Sequence, residues 1–265
     1  MRPRITFGRF LIRLGKFIES LAVVVMRPDN LIEFSRQCYA RPHMLDIWGS
    51  EERLAQGLRP EETALLHELP LREGRLLLLG VGGGREAIPL ARIGFSVTGV
   101  DFIPGLVEKA VENVAQRGLR IEGLVQEISE LDVPAASYDV AWLSAGMYSC
   151  IPTRQRRVEM LRRIGKALRP DGYFVCGFRW DARGRVSPRG LRARKTIAWL
   201  TLGNLWYEPG DELSGGIEFI HAFSSEDQVR SEFEEGGFEV VHIHIPPGLS
   251  GGAVLKKRGA YLLNH

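Results

Sequence analysis

Strand-like and helix-like stretches alternate between residues 71 and 263 of this 265-residue chain, which predicts an α/β fold. The sheet is expected to be doubly wound and mainly parallel, closing with an antiparallel strand. A helical cap should precede it and a lid should be inserted after its fifth strand. Three observations predict this. The run Leu76-Leu77-Leu78-Leu79, flanked by Gly74 and Gly80, reads as a short strand buried on both faces, as parallel strands are. The glycines that follow and the helical pattern from Arg85 to Arg92 lead to a second strand, Phe95 to Val100, which makes a β-α-β unit. The chain then ends in a strand near Ala260 to Leu263 with no crossover helix before it, and a parallel neighbour needs one.

Residues 1–70 form the expected cap. The first 27 are basic and amphipathic: Arg2, Arg4, Arg9, Arg13, Lys16 and Arg27 stand against Glu19 alone. Phe7, Phe10, Leu11, Leu14, Phe17 and Ile18 recur at helical spacing. Such a helix either lies on an anionic membrane surface or packs over the mouth of a site with its charges in water. The second use is the commoner and is the expectation here. Residues 30–70 read as helices broken by Pro42 and Pro60.

The expected core covers residues 71–180 and 217–265. Pro104 opens a helix that ends before Gly118, with Val107, Ala110, Val111 and Val114 on its apolar face. Ile121 to Val125 is a third strand and Tyr138 to Ser144 a fourth. Val158, Leu161, Ile164 and Leu168 mark the next helix, whose many arginines read as its solvated face. The turn Arg169-Pro170-Asp171-Gly172 precedes a fifth strand, Tyr173 to Phe178. The rhythm breaks over the expected lid, residues 181–216, where Arg183, Arg185, Arg189, Arg192, Arg194 and Lys195 precede Trp199, Trp206 and Tyr207. Ile217 to Phe223, a helix through Val229 and Phe233, and a strand from Phe238 to Ile245 resume the core.

Composition narrows the function classes. A net charge of +3 and 45% hydrophobic residues suit a globular protein and give no strong field for nucleic acid. Cys38, Cys150 and Cys176 are odd in number and form no CxxC pair, which fits a reducing, cytoplasmic setting. No apolar run approaches the ~20 residues of a membrane-spanning helix, and no small-residue cleavage site marks a signal peptide. His242 and His244 share a strand face without a third ligand, so no metal is expected.

The glycine loop between a buried strand and a helix suits close approach of a ligand, and Asp101, ending the second strand, suits the hydroxyls of a ribose. The spacing Gly80, Gly82, Gly84 leaves Arg85 where a dinucleotide site wants Gly or Ala. Glu127 ends the third strand, placed for an adenine amino group, and the chain closes antiparallel. These features favour S-adenosylmethionine over a dinucleotide.

LLLLGVGGGRE, GVDFIPGLVEKA, VQEISELDVPAASYDVAWLS, LRPDGYFV and FSSEDQVRSEFEEGGFEVV resemble, in this order, the motifs of the class I S-adenosylmethionine-dependent methyltransferases. The resemblance spans roughly residues 70–178 and 217–263, and GGGREAIPLARIGFSVTGVD is similar to the small-molecule members. It implies a Rossmann-like core. It further implies that Gly80, Gly82 and Gly84 underlie the methionine end and Asp101 holds the ribose. Phe102 and Ile128 would enclose adenine, Glu127 would take its amino group, and Ser144 and Ala145 would lie near the sulfonium. The family's usual acid two residues before the first glycine is here Leu78, so another residue or a water must replace it. Tyr39 is placed to close over the methionine carboxylate.

The expected activity is methyl transfer to an O or N atom of a small molecule, mainly by alignment. His43, Tyr148, His221 and Asp181 are the candidate bases. The arginines and aromatics of the lid suit an anionic or aromatic acceptor. The alternatives are a lipid headgroup, reached by peripheral membrane contact of residues 1–27, and a non-catalytic binder of the cofactor. SAGMYSC after the fourth strand lacks an Asn-Pro-Pro-aromatic motif, which disfavours nucleic acid. The sequence sets no oligomeric state.

Overall fold

The computed structural model describes residues 3–144, 146–182, 186–248 and 250–259. The cap comprises α1 (Pro3–Val25), α2 (Pro28–Tyr39), α3 (Pro42–Trp48), α4 (Glu51–Ala55) and α5 (Pro60–Glu68). The core follows as β1 (Gly74–Leu79), α6 (Ala87–Ile93), β2 (Phe95–Asp101), α7 (Pro104–Ala115), β3 (Ile121–Val125), β4 (Tyr138–Leu143), α8 (Arg154–Ala167) and β5 (Leu168–Trp180). Then come α9 (Pro188–Thr201), β6 (Asp211–Ser214), β7 (Glu218–Phe223), α10 (Glu226–Glu235), β8 (Phe238–His244) and β9 (Ser250–Lys257). Proline opens α2, α3, α5, α7 and α9, where its missing N–H would have had no helical partner.

Strands β3, β2, β1, β4 and β5 run parallel, β9 lies antiparallel against β5, and β8 pairs antiparallel with β9. This is the expected doubly wound sheet with an antiparallel finish. The four leucines of β1 explain its position at the centre. Leu77 and Leu79 enter the cluster beneath α8 and α10, while Leu76 and Leu78 enter the one beneath α5, α6 and α7. All four are fully buried, which contributes up to about 1.5–3 kcal/mol each.

Two expectations are corrected. The fifth strand starts at Leu168 and absorbs the anticipated turn, with Asp171 at φ 62° and a register shift opposite Tyr138 and Val140. The stretch expected to resume the core, β7, does so: it pairs parallel with β5 at Arg179 and Trp180, sends Phe223 into the main core, and pairs antiparallel with β6 on its other side. The last described strand is β9; residues 260–263, where the sequence places a strand, lie outside the described residues.

The second correction matters most for the surface. Only the end of α1 is packed: Val23 and Val24 join Leu31, Ala198, Tyr207 and Phe219 in a small core beneath α9. Upstream, Ile5, Phe7, Phe10, Leu11, Phe17 and Ile18 are exposed. The helix therefore does not lay its apolar face over a site mouth. No helix among the described residues is long and apolar enough to cross a membrane.

Candidate functional site

A cavity of about 320 Å³ opens at the C-terminal ends of β1, β2 and β4. The chain leaves β1 at Gly80, whose φ of 78° places it in the left-handed region. A Cβ there would meet Met147 Sδ at 2.0 Å, and one on Gly83 would meet the Trp48 carbonyl oxygen at 2.2 Å. The loop is thus clamped between the end of α3 and the turn after β4, and only glycine permits the approach.

Asp101 holds the other side. Its Oδ2 accepts from the Gly82 amide at 3.0 Å and its Oδ1 from the Ile103 amide at 3.1 Å. One carboxylate thereby ties the glycine loop to the turn before α7. Burial pushes its carboxyl up to about 6 against those two backbone donors. Glu127 accepts from the Ser129 amide at 2.9 Å and from the Ser129 hydroxyl, which orients it at the cavity wall.

The structure brings Gly80, Gly82, Asp101, Phe102, Glu127, Ile128, Ser144 and Tyr39 onto this one cavity. Gly84 does not line it; that residue lies beneath the loop, against the backbone of Ala110 in α7. Ala145 lies outside the described residues. The Tyr39 ring packs edge-on to Trp48 at 5.9 Å, and burial together with Glu218 raises its hydroxyl well above the ordinary tyrosine value. Tyr39 therefore keeps its proton and can donate it in a hydrogen bond.

Leu78, in place of the family's acid, is buried in the core. A buried carboxylate is supplied instead by Glu86, which accepts from the Ser144 hydroxyl and pairs with Arg85. Arg85 in turn makes a two-pronged bond to Glu62 at 2.7 and 2.8 Å and reaches the Gly57 carbonyl. This ion cluster braces the glycine loop from behind, with burial raising the Glu86 carboxyl. The only sequence signal for it was an Arg-Glu pair directly after the glycines.

None of the four candidate bases faces the cavity. His43 is exposed on α3. Tyr148 is fully buried between Phe223 and Phe233 and donates to Glu232 at 2.8 Å. His221 is fully buried between Asp211 at 2.8 Å and Gln228 at 3.2 Å. Asp181 is buried near the end of β5. His242 and His244 stand on β8, beside another depression. Glu208, Asp211 and His221 bring possible metal-ligand atoms within 4.8 Å of one another, yet Arg157 lies 3.1 Å from Glu208 and already supplies positive charge.

Sequence reasoning missed Trp48, Arg53, Arg59, Cys150, Arg179 and Glu218 on the cavity wall. Alternation along β7 was the available signal: Glu218 and Ile220 face the cavity while Phe219 faces the small core with α1.

A methyltransferase-domain family model matches residues 76–172. The ubiquinone biosynthesis O-methyltransferase of Maricaulis maris is 26% identical over 193 residues, 72% of this chain and 67% of the relative. That of Methylocella silvestris is 39% identical over 173 residues, 57% of this chain and 68% of the relative. The chain belongs to the class I S-adenosylmethionine-dependent methyltransferases. This methyltransferase shares its fold with the Burkholderia thailandensis 1,6-didemethyltoxoflavin-N1-methyltransferase, solved with 1,6-didemethyltoxoflavin and S-adenosylhomocysteine. The TM-score is 0.62 at 21% identity, covering 88% of this chain and 91% of the other.

The methyltransferase's cofactor is S-adenosylmethionine, and the site fits it: a Cβ-free bend for the amino-acid end and a buried carboxylate one strand away for the sugar. When bound, the cofactor supplies a methyl group already activated on a sulfonium.

Proposed function

We propose that this methyltransferase transfers the methyl group to an oxygen or nitrogen of a small, aromatic, anionic acceptor. Asp101 takes the ribose hydroxyls, Phe102 and Ile128 enclose the adenine, Glu127 takes its amino group, and Gly80, Gly82 and Ser144 border the methionine end. The observation that carries the acceptor class is the part of the cavity wall not assigned to the cofactor. Its lining includes the apolar side chains Ile32, Met147, Ile151 and Ile220 together with Arg179, which faces Glu218. A flat ring fits such walls, and Arg179 offers its negative substituent a planar fork. Two relatives named for ubiquinone biosynthesis O-methylation point the same way.

Titration calorimetry should show binding of S-adenosylmethionine and S-adenosylhomocysteine and no binding of NAD. Mass spectrometry should then find a methyl adduct on hydroxylated benzoates or catechols. Binding of NAD alone would overturn the reading.

The exposed apolar residues of α1, flanked by Arg4, Arg9, Arg13 and Lys16, support contact with an anionic bilayer surface. Exposed Trp199, Leu200 and Leu202 on and just after α9, the helix that packs beside α1, support the same contact. The three thiols are unpaired, in keeping with a cytoplasmic location. Full-length protein should float with phosphatidylglycerol vesicles, and protein lacking residues 1–18 should not. The deletion should leave the melting temperature nearly unchanged, since most of the described side chains of this segment are exposed. Equal flotation of both would exclude this role for α1.

A further inference from the structure

We infer that Glu218 is the general base of the reaction, accepting the acceptor's proton as the methyl group is transferred. The assignment rests on the methyltransferase reading above and names the residue that the sequence left open.

Glu218 opens β7, where cross-strand pairing with Ser214 and alternation along the strand turn its side chain into the cavity. The strand is pinned on the opposite face by buried Phe219, whose amide donates to Ser35 Oγ at 3.3 Å. Glu218 is enclosed by protein on most sides and opens mainly to the cavity. The titratable and charged groups facing it are Tyr39 from α2, Cys150 from the turn before α8 and Arg179 from β5. Burial raises the Glu218 carboxyl, against the opposing pull of Cys150, Tyr39 and Arg179. A carboxylate raised in this way is a better proton acceptor than one in water. Burial and the nearby Glu218 charge raise both Tyr39 and Cys150, so neither loses its proton first.

Glu218 is itself held by hydrogen bonds from Tyr39 and Cys150, and it is the one carboxylate on the described cavity wall not assigned above to the cofactor's ribose or adenine. Asp101 is held by two backbone amides and Glu127 by Ser129. Glu218 shares the cavity wall with Arg179, which acts on its charge, and with Met147, which packs on Gly80 at the bend after β1. An acceptor bound there lies between the methyl donor and this carboxylate.

A lone pair of the acceptor oxygen or nitrogen bonds to the methyl carbon as the carbon–sulfur bond breaks, its electron pair passing to sulfur. The acceptor's proton passes to the Glu218 carboxylate, which releases it to water after the product leaves. The products are the methylated acceptor, S-adenosylhomocysteine and one proton. The acceptor must therefore carry a removable proton on its nucleophilic atom, as a phenol or a heteroaromatic N–H does. Tertiary amines and thioethers are outside the class.

The test is Glu218→Gln, which keeps size and hydrogen bonding and removes the base. With catechol at about pH 7, kcat should fall roughly 10²–10⁴-fold while the Kd for S-adenosylmethionine stays within about twofold. With 4-nitrocatechol at about pH 8, where the acceptor is already ionised, the loss should shrink to under about tenfold. An equal loss on both acceptors, or none on catechol, would overturn the assignment. A second readout needs no turnover. In the S-adenosylhomocysteine complex at about pH 6, wild-type protein should bind 4-nitrocatechol with the absorbance of its phenolate, and the variant with that of its neutral form. The neutral spectrum in both proteins would sink Glu218 as base. If neither phenol is methylated by the wild type, the phenolic acceptor reading fails by itself, and the spectra still judge the base.

Discussion

Glu232→Ala is expected to lower the unfolding free energy by about 3–5 kcal/mol, the largest single effect in this chain. Arg157 and Glu232 are both fully buried. Nε and one terminal nitrogen of Arg157 each donate to a Glu232 oxygen at 2.8 Å, and Tyr148 donates to Oε2 at 2.8 Å. Burial by itself would lower the guanidinium, but the bonds to Glu232 raise it above its ordinary value, so it stays charged. Removing Glu232 leaves that charge with the half-buried Glu208 at 3.1 Å, the Ile151 carbonyl and the face of Phe223. The Tyr148 hydroxyl also loses its partner. A thermal melt should show a fall of about 10 °C for a protein of this size. The double variant Arg157→Met, Glu232→Leu should lose much less, because no unpaired charge remains inside. A loss below about 1 kcal/mol in the single variant would refute this account. Arg157, Glu232 and Tyr148 do not line the cavity, so the folded fraction should bind S-adenosylmethionine normally.

The same network shows where sequence reading reached its limit. Tyr148 and His221 carry functional groups, and no spacing rule says whether such a group faces a cavity or a buried partner dozens of residues away. The partners, Glu232 for Tyr148 and Asp211 for His221, are set by how α10 and the β6–β7 branch fold back. Local rules did better where the cause is local. The burial of Leu76 to Leu79 on both faces, Pro104 at a helix start, and a glycine bend directly after β1 were all legible, because each follows from backbone sterics or strand periodicity. Asp101 was legible because a strand end fixes its place. Glu86 was not: its role arises from Ser144 and Arg85 meeting behind the loop, a long-range contact with no periodic signature. The amphipathic pattern of α1 was equally plain, yet a pattern states only that a face seeks cover, and the fold leaves most of that face open.

Asp101→Ala should weaken S-adenosylmethionine binding by about 1–3 kcal/mol, roughly 5- to 150-fold in Kd. The carboxylate is placed to accept from the ribose hydroxyls, and it also holds the Gly82 amide at 3.0 Å, so its loss loosens the bend that borders the methionine end. Asp101→Asn keeps a carbonyl acceptor and should lose less. The sign of the pH effect follows from burial, which pushes this carboxyl up to about 6. The charged form is the acceptor of both hydroxyl hydrogens, so affinity should be full above about pH 6 and fall by up to tenfold per pH unit below it. Folding stability responds in the opposite sense. Because the folded carboxyl is raised above its unfolded value, protonation favours the fold, and this contribution is lost as pH rises from about 4 to about 6. A cofactor titration between about pH 5 and 8 therefore separates the two roles: wild-type affinity should bend near 6, and that of Asp101→Asn should not. A bend of the same position and size in the variant would assign it to another group and remove Asp101 from the ribose contact.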